Sequence, residues 1–229
     1  MKIGGLQKVS LIDFPGRLSC IIFVQRCDFR CSYCHNPELV FPERFLPLLE
    51  NADVLSFLEK RRRYLDGVVI TGGEPFCDED LISFLKKLKD MGYAVKIDTN
   101  GSFPAGLKAA ITANLVDYIA MDIKAPPEKY SAVAGVKVDM DKIRESISLI
   151  MGGNISYEFR TTVVKEMLDV SDFEGIGELI KGAKLFYLQR FILPKESDSA
   201  ALSYTTYTGI EFEKIREIML KYVDRCKIR

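Results

Sequence analysis

The stretch Gly67-Val68-Val69-Ile70-Thr71-Gly72-Gly73-Glu74-Pro75, with the residues that follow it to Leu88, decides the fold class. A strand buried on both faces reads as a continuous apolar run, and Val68-Val69-Ile70 is one. It stops at a glycine pair, which marks a turn. Beyond the turn Leu81, Phe84, Leu85 and Leu88 recur at i, i+3, i+4 and i+7, the period of an amphipathic helix. Asp78 and Glu79 stand where acidic groups favour a helix start. The unit is strand, loop, helix.

Outward from this stretch the unit repeats. Strands are predicted over 18–24, 67–71, 94–98, 117–123, 156–164 and 185–193, with helices over 54–64, 141–151, 172–182 and 211–223 between and after them. Six strands with interposed helices imply right-handed βα crossovers and a mostly parallel α/β sheet. That number suggests a partial barrel, open on one side. No internal repeat and no linker-like stretch divides the 229 residues, so a single domain over 1–229 is expected, with a polar segment and a C-terminal helix in 195–229.

Composition sets the outer bounds. The chain is 48% hydrophobic and 28% charged, with 16 glycines and 9 prolines, which excludes a collagenous, low-complexity or disordered chain. Lys plus Arg equals Asp plus Glu at 32 each, so no overall field draws it to nucleic acid or an anionic membrane. The N-terminus lacks the apolar core of a secretory signal, and no apolar run nears the roughly 18 residues of a membrane span. A soluble cytoplasmic protein with reduced thiols is the expectation.

In a parallel α/β sheet chemistry collects at the carboxyl ends of the strands. The first predicted strand leads into Cys27-Asp28-Phe29-Arg30-Cys31-Ser32-Tyr33-Cys34, the second into Gly72-Gly73-Glu74-Pro75, the third into Thr99-Asn100-Gly101, and the fourth ends in Asp122 and Lys124. Four successive strand ends thus meet on one rim. Three thiolates spaced C-x3-C-x2-C suit zinc or an iron–sulfur cluster. A structural zinc site needs a fourth ligand; His35, the one histidine, sits directly beside Cys34 and is badly placed to supply it. A redox dithiol of Cys31 and Cys34 leaves Cys27 unexplained. On a four-iron cube, three thiolates leave one iron free for a small molecule. Cys20, Cys77 and Cys226 form no second motif and read as free thiols.

The other groups carry plainer readings beside the functional ones. Gly72 to Glu74 is also a tight turn, and Thr99-Asn100-Gly101 an Asn-Gly turn. Asp122 and Lys124, two apart on a strand, face one side and could be no more than a surface ion pair. Lys60-Arg61-Arg62-Arg63 reads as a solvated helix end, or as a patch for an electron donor or a partner enzyme.

The cysteine triplet with Tyr33 and His35-Asn36-Pro37 resembles the cluster loop of radical S-adenosylmethionine (SAM) enzymes. With Gly72-Gly73-Glu74-Pro75, Asp98-Thr99-Asn100-Gly101 and Asp122-Ile123-Lys124, the chain is similar to their glycyl-radical-enzyme activase branch. Ile3 to Gly16 and Asp117 to Lys129 look closest to activating proteins of anaerobic ribonucleoside-triphosphate reductases. The similarity is strong in the motifs and thin beyond Pro194.

The resemblance implies a partial (β/α)6 barrel of the radical SAM type, one 4Fe–4S cluster on Cys27, Cys31 and Cys34, and SAM chelating the free iron. It implies that Gly72, Gly73 and Glu74 hold the amino end of SAM, that Thr99 and Asn100 contribute to its pocket, and that Asp122 and Lys124 contact its ribose and carboxylate. Tyr33 would stack beside the adenine, Arg160 would lie near SAM, and Asp98 with Asp122 could hold a monovalent cation. His35 and Asn36 would support the cluster loop. The implied partners are a glycyl radical enzyme, an anaerobic ribonucleotide reductase, and an electron donor such as flavodoxin or ferredoxin. Formate-lyase activases carry a histidine near the sixth strand; Gln189-Arg190-Phe191-Ile192-Leu193-Pro194 has none. Two rivals remain: a small-molecule radical enzyme similar to 7-carboxy-7-deazaguanine synthase, and a zinc-binding interaction module.

Overall fold

The computed structural model describes residues 1–193 and 201–229. One sheet holds eight strands in sequence order: β1 (Ile3–Ser10), β2 (Ser19–Val24), β3 (Gly67–Gly72), β4 (Ala94–Thr99), β5 (Tyr118–Asp122), β6 (Ser156–Val163), β7 (Phe186–Arg190) and β8 (Cys226–Ile228). From β2 to β8 every neighbouring pair is parallel, and β1 runs antiparallel to β2. Each crossover steps one strand further the same way, the progression that curls a sheet toward a barrel. The helices are α1 (Pro37–Val40), α2 (Asn51–Arg61), α3 (Leu81–Asp90), α4 (Pro104–Thr112), α5 (Tyr130–Ala134), α6 (Met140–Gly152), α7 (Asp172–Leu179) and α8 (Gly209–Met219).

The six predicted strands are β2 to β7. The sixth ends at Arg190 instead of 193. Two strands are additional, for physical reasons. The sequence of β1, Ile-Gly-Gly-Leu-Gln-Lys-Val-Ser, lacks a clean alternation because, among the described residues, its far edge meets only a single bridge from Ile3 to Leu49, and Gln7, Lys8 and Val9 are exposed. With three residues, β8 is too short to show a period. Of the polar segment, residues 197–200 lie outside the described residues. Among the described residues no helix is long and apolar enough to cross a membrane.

The two faces of the strands pack differently. Cys20, Ile22, Val24, Val68, Ile70, Val95 and Ile97 point outward against the helices and join one large core with Leu81, Phe84, Leu85 and Leu88 of α3. Each large apolar side chain fully buried this way contributes roughly 1.5–3 kcal/mol. Inward, Phe14, Ile21, Val69 and Ala94 form a separate plug with Phe23 and Tyr118. Phe14 comes from the β1–β2 connection, at the amino end of the parallel strands, and presses on Gly67, where a Cβ would meet its ring at 2.8 Å. Beyond the plug the inward positions turn polar, with Lys96, Asp98, Asp122, Arg160, Thr162 and Gln189. The plug closes one end of the lumen and the polar layer floors the other.

Candidate active site

The loop that follows β2 is tied down along its length. Arg26 takes a positive φ of 82°, and its N–H donates to the Leu39 carbonyl at 2.7 Å. The Arg30 guanidinium donates to the carbonyls of Cys27 (2.6 Å) and Phe29 (2.7 Å), which fixes the turn between the first two cysteines. Its backbone N–H donates to Ala134 at 2.8 Å, docking the loop on α5. The Cys34 N–H donates to the Cys31 carbonyl at 3.1 Å. So held, Cys27, Cys31 and Cys34 line one cavity of about 250 Å³, together with Phe29, Tyr33 and Val40.

Burial pushes all three thiols above their ordinary range, so a metal entering here displaces protons. The Phe29 N–H lies 3.4 Å and Asn100 Nδ2 3.8 Å from Cys27 Sγ. Cys20, Cys77 and Cys226 do not line the cavity, and burial pushes each of their thiols up to about 12. Among the described residues no three His, Cys, Asp or Glu side chains converge on a single ion position. Three soft donors spaced round a cavity, with no fourth, fit a wide cluster with one open iron better than a closed tetrahedral zinc. Cys27, Cys31 and Cys34 would hold that cluster.

The glycine loop at the end of β3 is as tight as its sequence implied. Gly72 has φ +108°, and a Cβ on Gly73 would stand 1.9 Å from the Arg26 carbonyl oxygen. Only glycine lets the two loops touch there. Glu74 is 1% exposed. One of its oxygens accepts from the Phe76 N–H (3.1 Å) and Thr99 Oγ1 (2.8 Å), the other from the Asn100 N–H (2.7 Å). Burial raises its carboxyl to about 8 against the pull of these donors. Asn100 in turn donates through Nδ2 to Asp28 at 2.8 Å, which joins the glycine loop, the end of β4 and the cysteine loop.

Across the cavity floor runs a chain of alternating charges. Lys96 pairs with Asp98, and Arg160 donates to Asp98 at 3.1 Å and also to Asp122, which accepts from Lys124 at 2.8 Å. Burial raises the two carboxyls, but Arg160, with Lys96 at Asp98 and Lys124 at Asp122, pulls both below the usual carboxylate range. The Lys124 ammonium lies 5.9 Å from the centre of the Tyr33 ring. Asp122 and Lys124 do pair with each other, but inside the cavity and not on the surface. Arg160 lines the same cavity. Asp98 and Asp122, where a monovalent cation is expected, stand together on this floor, with Lys96, Arg160 and Lys124 as their partners.

Every residue singled out in the sequence for cluster, SAM or cation lines this cavity, and so do His35 and Asn36. His35 Nε2 lies 3.0 Å from the Ile192 carbonyl oxygen and its ring stacks on Phe191. Phe191 meets Tyr204 edge-on, and the Tyr204 hydroxyl lies 2.9 Å from Ser32 Oγ. The cysteine loop is thereby clasped to the chain beyond β7. Sequence reasoning missed Lys96, Thr71, Thr162 and Gln189. Thr162 was reachable, being two residues from Arg160 on one strand, and Gln189 belonged to a run read only for a missing histidine. Lys60-Arg61-Arg62-Arg63 ends α2, ahead of β3 and so at the amino edge of the sheet, away from the cysteines by the length of a six-residue strand, about 20 Å. Arg61 lies over Phe57 and Tyr64, and Arg62 pairs with Glu59, as in a solvated helix end. An electron donor docked there would face the wrong edge.

Residues 21–180 match the radical SAM superfamily. The chain belongs to the radical SAM superfamily. A Methanocaldococcus jannaschii protein named as a candidate glycyl-radical enzyme activating enzyme is 31% identical to this radical SAM chain over 99% of its length and 95% of the relative's. The pyruvate formate-lyase-activating enzyme of Clostridium pasteurianum is 32% identical over 58% of this chain and 57% of its own. Among solved structures, Streptococcus suis SuiB superposes with a TM-score of 0.66 at 12% identity over 91% of this chain, which spans 48% of SuiB. That likeness concerns the fold: a partial barrel of the radical SAM type. Radical SAM enzymes work with a 4Fe–4S cluster and SAM, the two groups that the thiol triad and the cavity fit.

Proposed function

We propose that this radical SAM enzyme is a glycyl-radical-enzyme activase whose partner is an anaerobic ribonucleoside-triphosphate reductase. The observation that carries the activase reading is the end-to-end match to a relative named as a candidate for that activity, in a chain whose predicted site residues meet in one cavity. The narrower choice of partner rests on the resemblance of Ile3 to Gly16 and Asp117 to Lys129 to the reductase activating proteins. When bound, the cluster and SAM supply the one-electron chemistry that generates a 5′-deoxyadenosyl radical.

The chain's own residues orient and shield. Cys27, Cys31 and Cys34 bind the cluster in a wall that Phe29 and Val40 keep apolar. Gly72 and Gly73 let the SAM amino end approach the backbone, and Glu74 faces its ammonium. Thr99 and Asn100 fix Glu74 through the bonds already described. Lys124 and Arg160 offer cations to the carboxylate, Asp122 takes the ribose hydroxyls, and Tyr33 lies by the adenine. A low-potential donor such as flavodoxin or ferredoxin delivers the electron.

The test is anaerobic reconstitution with iron, sulfide, SAM and reductant, followed by electron paramagnetic resonance with candidate partners. A glycyl doublet on an anaerobic ribonucleotide reductase is the expected outcome. SAM cleavage with no doublet on any glycyl radical enzyme would overturn the reading, and a doublet on a different one would overturn the choice of partner.

A further inference from the structure

The charged side chains of the cavity already have partners within the protein. Glu74 accepts three hydrogen bonds, and Asp98, Asp122, Lys124 and Arg160 hold one another. Four neutral ones differ: the side chains of Asn36, Thr71, Thr162 and Gln189 line the same cavity and have no hydrogen-bond partner among the described residues. Two of these form a matched pair. Thr162 on β6 and Gln189 on β7 are register partners, one strand spacing of about 4.8 Å apart. Their wall begins where the charged floor ends, two residues beyond Arg160 and across the lumen from the glycine loop of β3 and the end of β4.

The chemistry of the pair is specific. A carboxamide offers both donors and an acceptor, and a hydroxyl one donor and two lone pairs. Together they complement successive peptide groups, each with one N–H and one C=O. Neither side chain has a charge with which to attract a phosphate or a carboxylate. Glycine has no side chain to grip, so an enzyme that selects one glycine in a chain must read the backbone around it.

We infer that Thr162 and Gln189 are the peptide-reading pair of this site, binding the backbone amides that flank the target glycine and setting which Cα hydrogen faces the SAM side of the cavity. The inference rests on the activase reading above and deepens it. The two residues determine specificity; the hydrogen transfer itself needs nothing from them.

The experiment uses reconstituted enzyme with SAM and a fluorescein-labelled Ser-Gly-Gly-Ser amide as probe. Peptide binding is read by anisotropy without reductant, SAM affinity by calorimetry, and transfer from α-deuterated glycine into 5′-deoxyadenosine after reduction with dithionite. Wild type binds the peptide and transfers deuterium. Thr162→Val and Gln189→Met each weaken peptide binding about tenfold, with SAM affinity within about twofold and the melting midpoint unchanged, while Gln189→Asn restores part of the binding. Peptide binding that survives both substitutions overturns the inference and leaves the activase reading intact. SAM affinity falling in step with peptide affinity places the pair in the cofactor pocket and also overturns it. Wild type that neither binds the peptide nor transfers deuterium, and forms no glycyl radical on any partner, sinks the activase reading and the inference together.

Discussion

Arg160 Nη1 lies 3.1 Å from Asp98 Oδ2, a bond that ties β6 to β4 across the intervening β5. The same guanidinium donates through Nε to Asp122 at the end of β5. One side chain therefore fixes three strand ends at the cavity floor, where no backbone ladder joins β4 to β6. The planar fork of arginine suits this, because its donors diverge in a fixed geometry that lysine lacks.

Arg160→Met should destabilise the fold by about 2–3 kcal/mol, since it leaves two largely buried carboxylates with one lysine each. Arg160→Lys should recover less than half, because a single ammonium reaches only one carboxylate. Urea unfolding of the metal-free protein measures both. A loss below about 0.5 kcal/mol for Arg160→Met would mean that Lys96 and Lys124 suffice.

The same network sets an acid limit. Asp98 and Asp122 titrate below the usual carboxylate range in the folded protein and near it, at about 3.9, once unfolded. The unfolded chain then binds protons first as the pH falls, so the stabilisation from these groups is complete well above pH 4 and is lost progressively below it. Burial of Glu74, whose carboxyl sits at about 8, makes the total unfolding free energy rise as pH falls from 7, so the contribution of the two aspartates is read as the difference between wild type and a variant lacking them, which should stay flat from pH 7 to about pH 5 and then drop. The double variant Asp98→Asn, Asp122→Asn is that variant, and an equal slope in the two proteins would assign acid unfolding elsewhere.

The clasp between Ser32 and Tyr204 offers a separate test. Tyr204→Phe keeps the edge contact with Phe191 and deletes one hydroxyl that lies 2.9 Å from another. The global cost should be about 1 kcal/mol. Locally the cysteine loop should lose protection: hydrogen exchange at residues 31–35 should speed up several-fold while α3 exchange is unchanged. Uniform acceleration across both would show a general loss of stability and no clasp.

Much of this site was legible before the structure, and the reasons are local. The cysteine spacing, the glycine pair and the strand-end acids each occupy a few consecutive residues, and parallel βα topology sends all strand ends to one rim. Val68-Val69-Ile70 read as a strand because both its faces are buried. What stayed hidden depends on residues far apart in the chain. Lys96 carries no mark of its place in the ion chain until β4, β5 and β6 lie side by side. The clasp joins Ser32 to Tyr204 across 172 positions, and nothing near either residue announces it. β1 was missed because an edge strand exposed on one side loses the apolar pattern by which buried strands are read.

Of the six thiols, three should govern iron and three should not. Cys27, Cys31 and Cys34 line the cavity; Cys20 and Cys226 are buried in β2 and β8, and Cys77 ends the turn after Glu74, outside the cavity lining. Single Ser replacements of the first three should each lower bound iron several-fold after reconstitution and abolish the brown chromophore, because a two-thiolate site cannot hold the cube. Ser at 20 and 226 should lower stability by about 1–2 kcal/mol through burial of a hydroxyl, with iron content unchanged. Cys77→Ser separates position from mere nearness, since its thiol feels Glu74 and Asp28 and yet takes no part in the triad. Full iron content in that variant, measured alongside depletion in Cys27→Ser, is the expected result. Iron loss in Cys77→Ser equal to that of the triad would make it a fourth ligand and close the open iron on which SAM binding depends.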